Sequence, residues 1–518
     1  MNWKTDESIY NFIVNSLDSE GKLKESGMEL PDEIRTEGGL RYAPGMADAV
    51  FGSTDTELSE EELAEISDLI FRAAVGDDEC ENKLYDNICH KYNVISIIDR
   101  VLAKLDEDSF KLNGNLSIIA ADFAFRSAER NAVKFGIALL GYCKSEDNLE
   151  EIKILGLHDE FTLFASVAVM KISGNMERDL WEMAKKAEGW GRIQSVQRLA
   201  DILCSPETED WLVREGYKNN IMYEYLTYIA AVHGKLYERL CAPKIDRGLF
   251  ESAGEIIDGL ISGGPAEDMS DYEFASRTVE QYIRHSVLMA DELQDFIVLN
   301  SIKDFLEEIR DNLQGHEKNG WNQDNIADCL IDINTVMKKP EWKRKTEDAL
   351  NSRLFAVFNQ GKMTASILGI AYWDKLWALL KENPESTALW YDAVNTAPPE
   401  FSDELTALAL KTLPLDKIAS GPADVVGFSE DYQYFICIEY IITYLGSFSG
   451  KGEKLILAGL QAPVTRTRNM CVQTLGKWGR ENWSEEIQLA VKKLSETEPN
   501  PRTKSNLERL LLGEKLVW

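Results

Sequence analysis

The chain is poor in the residues from which redox and hydrolytic sites are commonly built. It has five histidines in 518 residues, and none has a glutamate three positions before it, so the Glu-x-x-His pairs of di-iron bundles are absent. Its eight cysteines, Cys80, Cys89, Cys143, Cys204, Cys241, Cys329, Cys437 and Cys471, are scattered singly, with no C-x-x-C pair. Dispersed cysteines in a chain of this size read as reduced and buried, not as a disulfide or zinc framework. A G-x-S-x-G elbow is missing, and no tyrosine has a lysine four residues on, which a short-chain dehydrogenase would need. Charge is also one-sided: 88 acidic residues face 56 basic ones, for a net charge of −32. Such a charge repels nucleic acid and anionic membrane. No stretch offers eighteen unbroken apolar residues, so no membrane span is expected. The start, MNWKTDESIYNF, has no cationic flank followed by an apolar run, so the expected location is cytoplasmic.

What the chain does have is a core and helical periodicity. Hydrophobic residues make up 44%, enough for a folded body. Ser59 followed by Glu60-Glu61-Glu62 reads as a capping-box start, after which Leu63, Ile66, Leu69 and Ile70 recur at helical spacing. RNAVKFGIALLGY, residues 130–142, places Ala132, Val133, Ile137 and Leu140 on one stripe. RNMCVQTLGKWG, residues 468–479, places Met470, Cys471, Leu475 and Trp478 at matching offsets. Pro463-Val-Thr-Arg466 is echoed thirty-six residues later by Pro499-Asn-Pro-Arg502. Asn113-Gly114 and Asn319-Gly320 lie between helical patterns and read as interhelical turns.

A period near 36 with Pro and Arg at the turn predicts an all-α fold, a HEAT-like α-solenoid of stacked helical hairpins. One hairpin cannot bury its apolar face alone, so it stacks on its neighbours. Residues 1–56 read as an irregular Gly/Pro-containing N-terminal arm. Residues 57–262 read as HEAT-like helical repeats, and 263–518 as further repeats with the clearest units at 460–518. Arg466 and Arg502 should occupy equivalent places in successive hairpins. Breaks are expected at Gly263-Gly264-Pro265, Pro398-Pro399 and Gly421-Pro422.

Glycine-rich stretches invite a phosphate or dinucleotide reading. GGLRYAPGMADAVFG, residues 38–52, has neither G-x-G-x-x-G nor a following Gly-Lys-Ser/Thr, so it reads as a packed arm turned at Pro44-Gly45. Tyr42, Met46, Val50 and Phe51 would give that arm an apolar side against the first hairpins. Gly189-Trp190-Gly191-Arg192-Ile193-Gln194 lacks the third glycine and a preceding strand. It reads as the loop before a helix carrying Val196, Leu199 and Leu203. Gly446-Ser-Phe-Ser-Gly450-Lys451-Gly452 has one residue too few between its glycines, and Gly452 stands where a magnesium-binding hydroxyl should sit.

Several segments resemble a family. ELPDEIRTEGGLRYAPGMADAVFG, EGWGRIQSVQRLADIL, EDWLVREGYKNNIMYEYL and ISGGPAEDMSDY, with the 130–142 stretch, are similar to bacterial proteins named limonene hydroxylase, whose helices look like HEAT repeats. The resemblance covers most of the chain. It implies oxygen insertion into the monoterpene limonene to give carveol and perillyl alcohol, with NAD as cofactor for oxidation of those alcohols. It assigns no catalytic residue.

That implied chemistry needs a redox group, because side chains alone do not insert oxygen into an allylic C–H bond. Cys143, in Gly141-Tyr142-Cys143-Lys144, lacks the glycine that would follow a haem thiolate and reads as core. His158-Asp159-Glu160 supplies a His-x-carboxylate pair, with His233 or His285 as a third ligand for non-haem iron. The plainer reading starts the helix of Phe161, Phe164 and Val167 at this tripeptide. Tyr372, Trp373, Trp377, Trp390 and Tyr391 read either as the wall of an apolar pocket or as core. Two functions stand open: a limonene-hydroxylating oxidoreductase, or a non-catalytic helical scaffold binding a protein partner along its concave face.

Overall fold

The computed structural model describes residues 4, 7–33, 45, 58–107, 115–264, 266–427 and 430–518. Among these the secondary structure is helical, apart from two isolated β-bridges, Leu17 to Leu23 and Val425 to Val464. The chain forms two compact units that meet in sequence at Lys339 and Pro340. The Asn113-Gly114 turn and the arm residues Tyr42, Met46, Val50 and Phe51 lie outside the described residues.

In the first unit the helices are α1 (Ile9–Asn15), α2 (Glu60–Ala74), α3 (Asp78–His90), α4 (Val94–Glu107), α5 (Asn115–Arg126), α6 (Arg130–Cys143), α7 (Leu149–Leu155) and α8 (Asp159–Ile172). They continue through α9 (Met176–Lys186), α10 (Gly189–Ala200), α11 (Pro206–Trp211), α12 (Glu224–His233), α13 (Leu236–Leu240), α14 (Arg247–Ser262), α15 (Ala275–Met289), α16 (Leu293–Asp311) and α17 (Gln323–Met337). The Ser59 start is as read: its hydroxyl accepts from the Glu62 amide at 3.2 Å while Glu62 accepts from the Ser59 amide at 3.1 Å. Leu63, Ile66, Leu69 and Ile70 are all buried. Helices α6, α8, α10, α12, α14 and α16 form a row in which each packs on the next. The row is tight where α6 crosses α5, because a Cβ on Gly136 would meet the Ala124 amide nitrogen at 2.5 Å.

The N-terminal segment is less irregular than expected. Ser8 caps α1 by accepting from the Asn11 amide at 3.2 Å. Ile9 and Ile13, one turn apart, are fully buried as α1 packs on α5 and α7. An i, i+4 apolar pair behind a serine cap makes a short helix where glycine and proline counts alone suggested none.

The second unit holds α18 (Glu341–Leu350), α19 (Phe355–Leu368), α20 (Trp373–Glu382), α21 (Thr387–Thr396), α22 (Ser402–Thr412) and α23 (Leu415–Ile418), then α24 (Gln433–Leu445), α25 (Glu453–Leu460), α26 (Thr465–Trp478), α27 (Glu485–Thr497) and α28 (Pro501–Leu512). One row runs α21, α24, α26, α28 and another runs α23, α25, α27, while α25 pairs with α26 and α27 with α28. Cys471, Leu475 and Trp478 are buried between them, whereas Met470 is half-buried and turns away from that stripe. Arg466 and Arg502 each stand second in their helices, α26 and α28, so their backbone positions match. Their side chains differ: Arg466 pairs with Glu439, and Arg502 is exposed.

The strongest tie in this unit is a buried ion pair. Arg468 Nε and a terminal nitrogen donate to the two Glu498 oxygens at 2.7 and 2.5 Å, and both side chains are fully buried. The other terminal nitrogen donates to the carbonyls of Ala423, Ala462 and Pro463 at 2.8, 2.8 and 3.0 Å. The Glu498 carboxylate thereby ties the turn before α28 to α26.

Candidate functional sites

Most of the segments behind the family resemblance converge on the first turn of α8. Asp32 accepts three bonds from Arg130, from its amide at 2.8 Å, its Nε at 3.0 Å and a terminal nitrogen at 2.9 Å. Glu33 accepts from the same guanidinium at 2.6 Å. Arg130 and Lys134 lie one turn apart on α6, and Lys134 donates to Glu160 at 2.6 Å. The other Glu160 oxygen accepts from the Gly45 amide at 3.1 Å. A Cβ on Gly45, whose φ is +72°, would meet the Asp159 carbonyl oxygen at 2.4 Å, which is why position 45 carries glycine.

His158, Asp159 and Glu160 each have a structural occupation here. His158 is fully buried; its Nδ1 accepts from the Glu160 amide at 3.1 Å and its Nε2 donates to the Met28 carbonyl at 3.3 Å. Burial brings its pKa down to about 4, so the ring is neutral with both nitrogens engaged. Burial also pushes Asp159 up to about 7, against the pull of the Trp190 and Gly191 amides. Burial favours the neutral form of Glu160 too, but Lys134, the Gly45 amide and Arg130 outweigh it and hold that carboxyl below its usual range.

Asp159 accounts for Gly189-Trp190-Gly191. Its Oδ2 accepts from the Trp190 amide at 3.1 Å. Cβ atoms on Gly189 and Gly191 would meet its oxygens at 2.4 and 2.7 Å. The stretch is therefore the first turn of α10, not the loop before it, and its open amides are met by a carboxylate from α8. Val196 and Leu199 are buried as expected, but Leu203 lies beyond the helix and is 96% exposed. Asn220 continues the chain of contacts by accepting from the Gly189 amide at 3.1 Å, and Asn219 donates to the Gly189 carbonyl at 3.0 Å.

The other candidates lie apart. His285 bonds the Leu240 carbonyl at 2.9 Å, while burial lowers the pKa of His233 near Asp201. Among the described residues no group of three or more His, Cys, Asp and Glu is placed to hold a metal ion. Cys143 ends α6 half-buried, with its thiol pushed up to about 11 by burial. The five aromatics divide. Trp390 is core and donates to the Pro384 carbonyl at 2.8 Å. Trp373 and Trp377 stack 6.0 Å apart beside Phe401, with Tyr372 half-buried against the same core. Gly446 to Gly452 joins α24 to α25 as a turn.

Tyr391 lines an open groove. This cavity of about 910 Å³ is lined by Tyr391, Val394 and Asn395 of α21, Tyr440, Thr443 and Tyr444 of α24, Phe448 of the following turn and Met470 of α26. Tyr391 meets Tyr440 edge-on at 5.4 Å, and Tyr444 lies 4.9 Å from Phe448. Glu439 and Arg466 also line it, joined at 2.6 Å, and Glu439 accepts a second bond from Thr467 at 2.6 Å. Burial nevertheless raises the Glu439 pKa. Of these residues, sequence periodicity singled out Tyr391, Met470 and Arg466; the rest sit on helix faces that only neighbouring helices define. Comparison with models of protein families, with curated proteins and with solved structures finds no match to the chain.

Proposed function

We propose that the chain is a helical-repeat interaction protein, built of HEAT-like hairpins, whose partner docks on the α21–α24–α26 face. The observation that carries this reading is the 910 Å³ groove, assembled from same-side residues of three helices that pack in a row. Rows in which a helix of one hairpin packs on a helix of the next are how hairpin repeats build a continuous binding face. The residues that looked most like redox ligands support the same reading, because His158, Asp159 and Glu160 are already bonded to backbone and to Lys134.

A photo-crosslinking side chain at Asn395, in the groove, should capture a partner protein, while one at Leu489, 69% exposed on α27, should not. In parallel, extensively purified protein given limonene, oxygen and NADH should show no limonene-dependent oxygen uptake. Equal labelling from both positions would sink the docking face. Limonene hydroxylation and NAD-linked alcohol oxidation that follow the chain through purification would instead establish the oxidoreductase that the family resemblance implies.

A further inference from the structure

We infer that the α21–α24–α26 groove takes an uncharged, proline-rich segment of a partner protein in the extended polyproline II conformation, a proposal that rests on the docking reading above. Charge points to a neutral occupant. Residues 340–518 contain 21 Lys and Arg against 23 Asp and Glu, a net of −2, so −30 of the chain's −32 falls before Pro340. Inside the groove the two charges, Glu439 and Arg466, are closed on each other at 2.6 Å. The groove therefore presents no net charge to an occupant.

Hydrogen bonding points to proline. The groove walls are helices, whose backbone groups are closed within each helix, so there is no strand edge to pair with an incoming peptide. An ordinary extended segment would have only a few side-chain oxygens, such as those of Asn395 and Thr443, to accept from its amide N–H groups. Proline has no N–H, and a polyproline II helix is ordered before it binds. The wall suits it: Tyr391, Tyr440, Tyr444 and Phe448 make an aromatic face, the kind of surface on which such segments dock. Three helices at ordinary packing distances make a track of about 20 Å. A polyproline II segment rises about 3.1 Å per residue, so about six residues span it.

The test is calorimetric titration of the full-length protein with acetyl-decaproline amide, with two ten-residue controls, a Gly-Ser repeat and a Leu-Lys amphipathic helix, and with cyclohexanol. The expected result is one-to-one binding of decaproline alone. Tyr391→Ala should weaken it about tenfold or more, with unchanged circular dichroism, and Tyr391→Phe should keep most of it. Lack of decaproline binding at millimolar concentration would overturn the proposal. So would equal binding of any control, or affinity indifferent to Tyr391→Ala. If decaproline fails while crosslinking at Asn395 still captures a partner, the proline-rich occupant falls and the docking face stands; if both fail, both fall.

Discussion

Breaking the Arg468–Glu498 pair is the sharpest perturbation of the C-terminal unit. Glu498→Ala leaves a guanidinium at zero exposure, still facing three carbonyls but with no counter-charge. The surviving bonds to Ala423, Ala462 and Pro463 do not offset that loss, because a carbonyl carries only a partial charge. Removing one member of a buried pair costs about 3–5 kcal/mol. In a body of this size each kcal/mol moves the melting midpoint by about 2–4 °C, so a fall of roughly 6–20 °C is expected. Differential scanning calorimetry of the full chain measures the shift, and hydrogen exchange of the α26 and α28 amides locates it.

Two further variants decide whether the pair acts as argued. Arg468→Met with Glu498→Leu removes both charges together and should recover most of the loss, since apolar side chains of similar size can replace a buried pair. Arg344→Ala breaks an exposed pair, with side chains 68% and 67% accessible, and should leave the transition in place. Were Glu498→Ala to shift the midpoint no more than Arg344→Ala, the buried charge would not be what holds these hairpins. A double variant as unstable as the single one would point the same way.

Asp159 gives a prediction in pH. Its folded pKa is raised to about 7 from an unfolded value of about 3.9, so the folded state keeps a proton that the unfolded chain releases between those values. Its contribution to stability therefore falls as pH rises through about 4 to 7, and the midpoint of Asp159→Asn relative to wild type should climb over that window and level off above it; parallel profiles would refute this. Gly191→Ala should cost about 1–3 kcal/mol by chemical denaturation, because its Cβ would meet Asp159 Oδ1 and Thr162 Oγ1 at 2.7 Å. Gly174, with nothing within 4 Å of an added Cβ, is the control, and equal effects at both glycines would sink the close-contact explanation.

Much of the helical framework was legible because its signals are local. Ser59 and Glu62 are three residues apart, and the apolar stripes of α2, α6 and α26 repeat within two turns. The ties between helices were not legible, since their partners stand about thirty residues apart and look ordinary in sequence. Asp159 reads as one more acidic residue at a helix start until Gly189 and Gly191 are brought against it. The arginine that the repeat pattern picked out, Arg466, was two residues from the one that ties hairpin to hairpin. Helical geometry supplies the reason: two residues turn a side chain by about 200°, carrying Arg466 toward the groove and Arg468 into the core. Met470, two further on, faces the groove again, so the stripe that seemed to hold four core residues serves two surfaces. A repeat read from one sequence thus finds where a helix begins, while the face on which each charge is spent is set by the neighbouring hairpin.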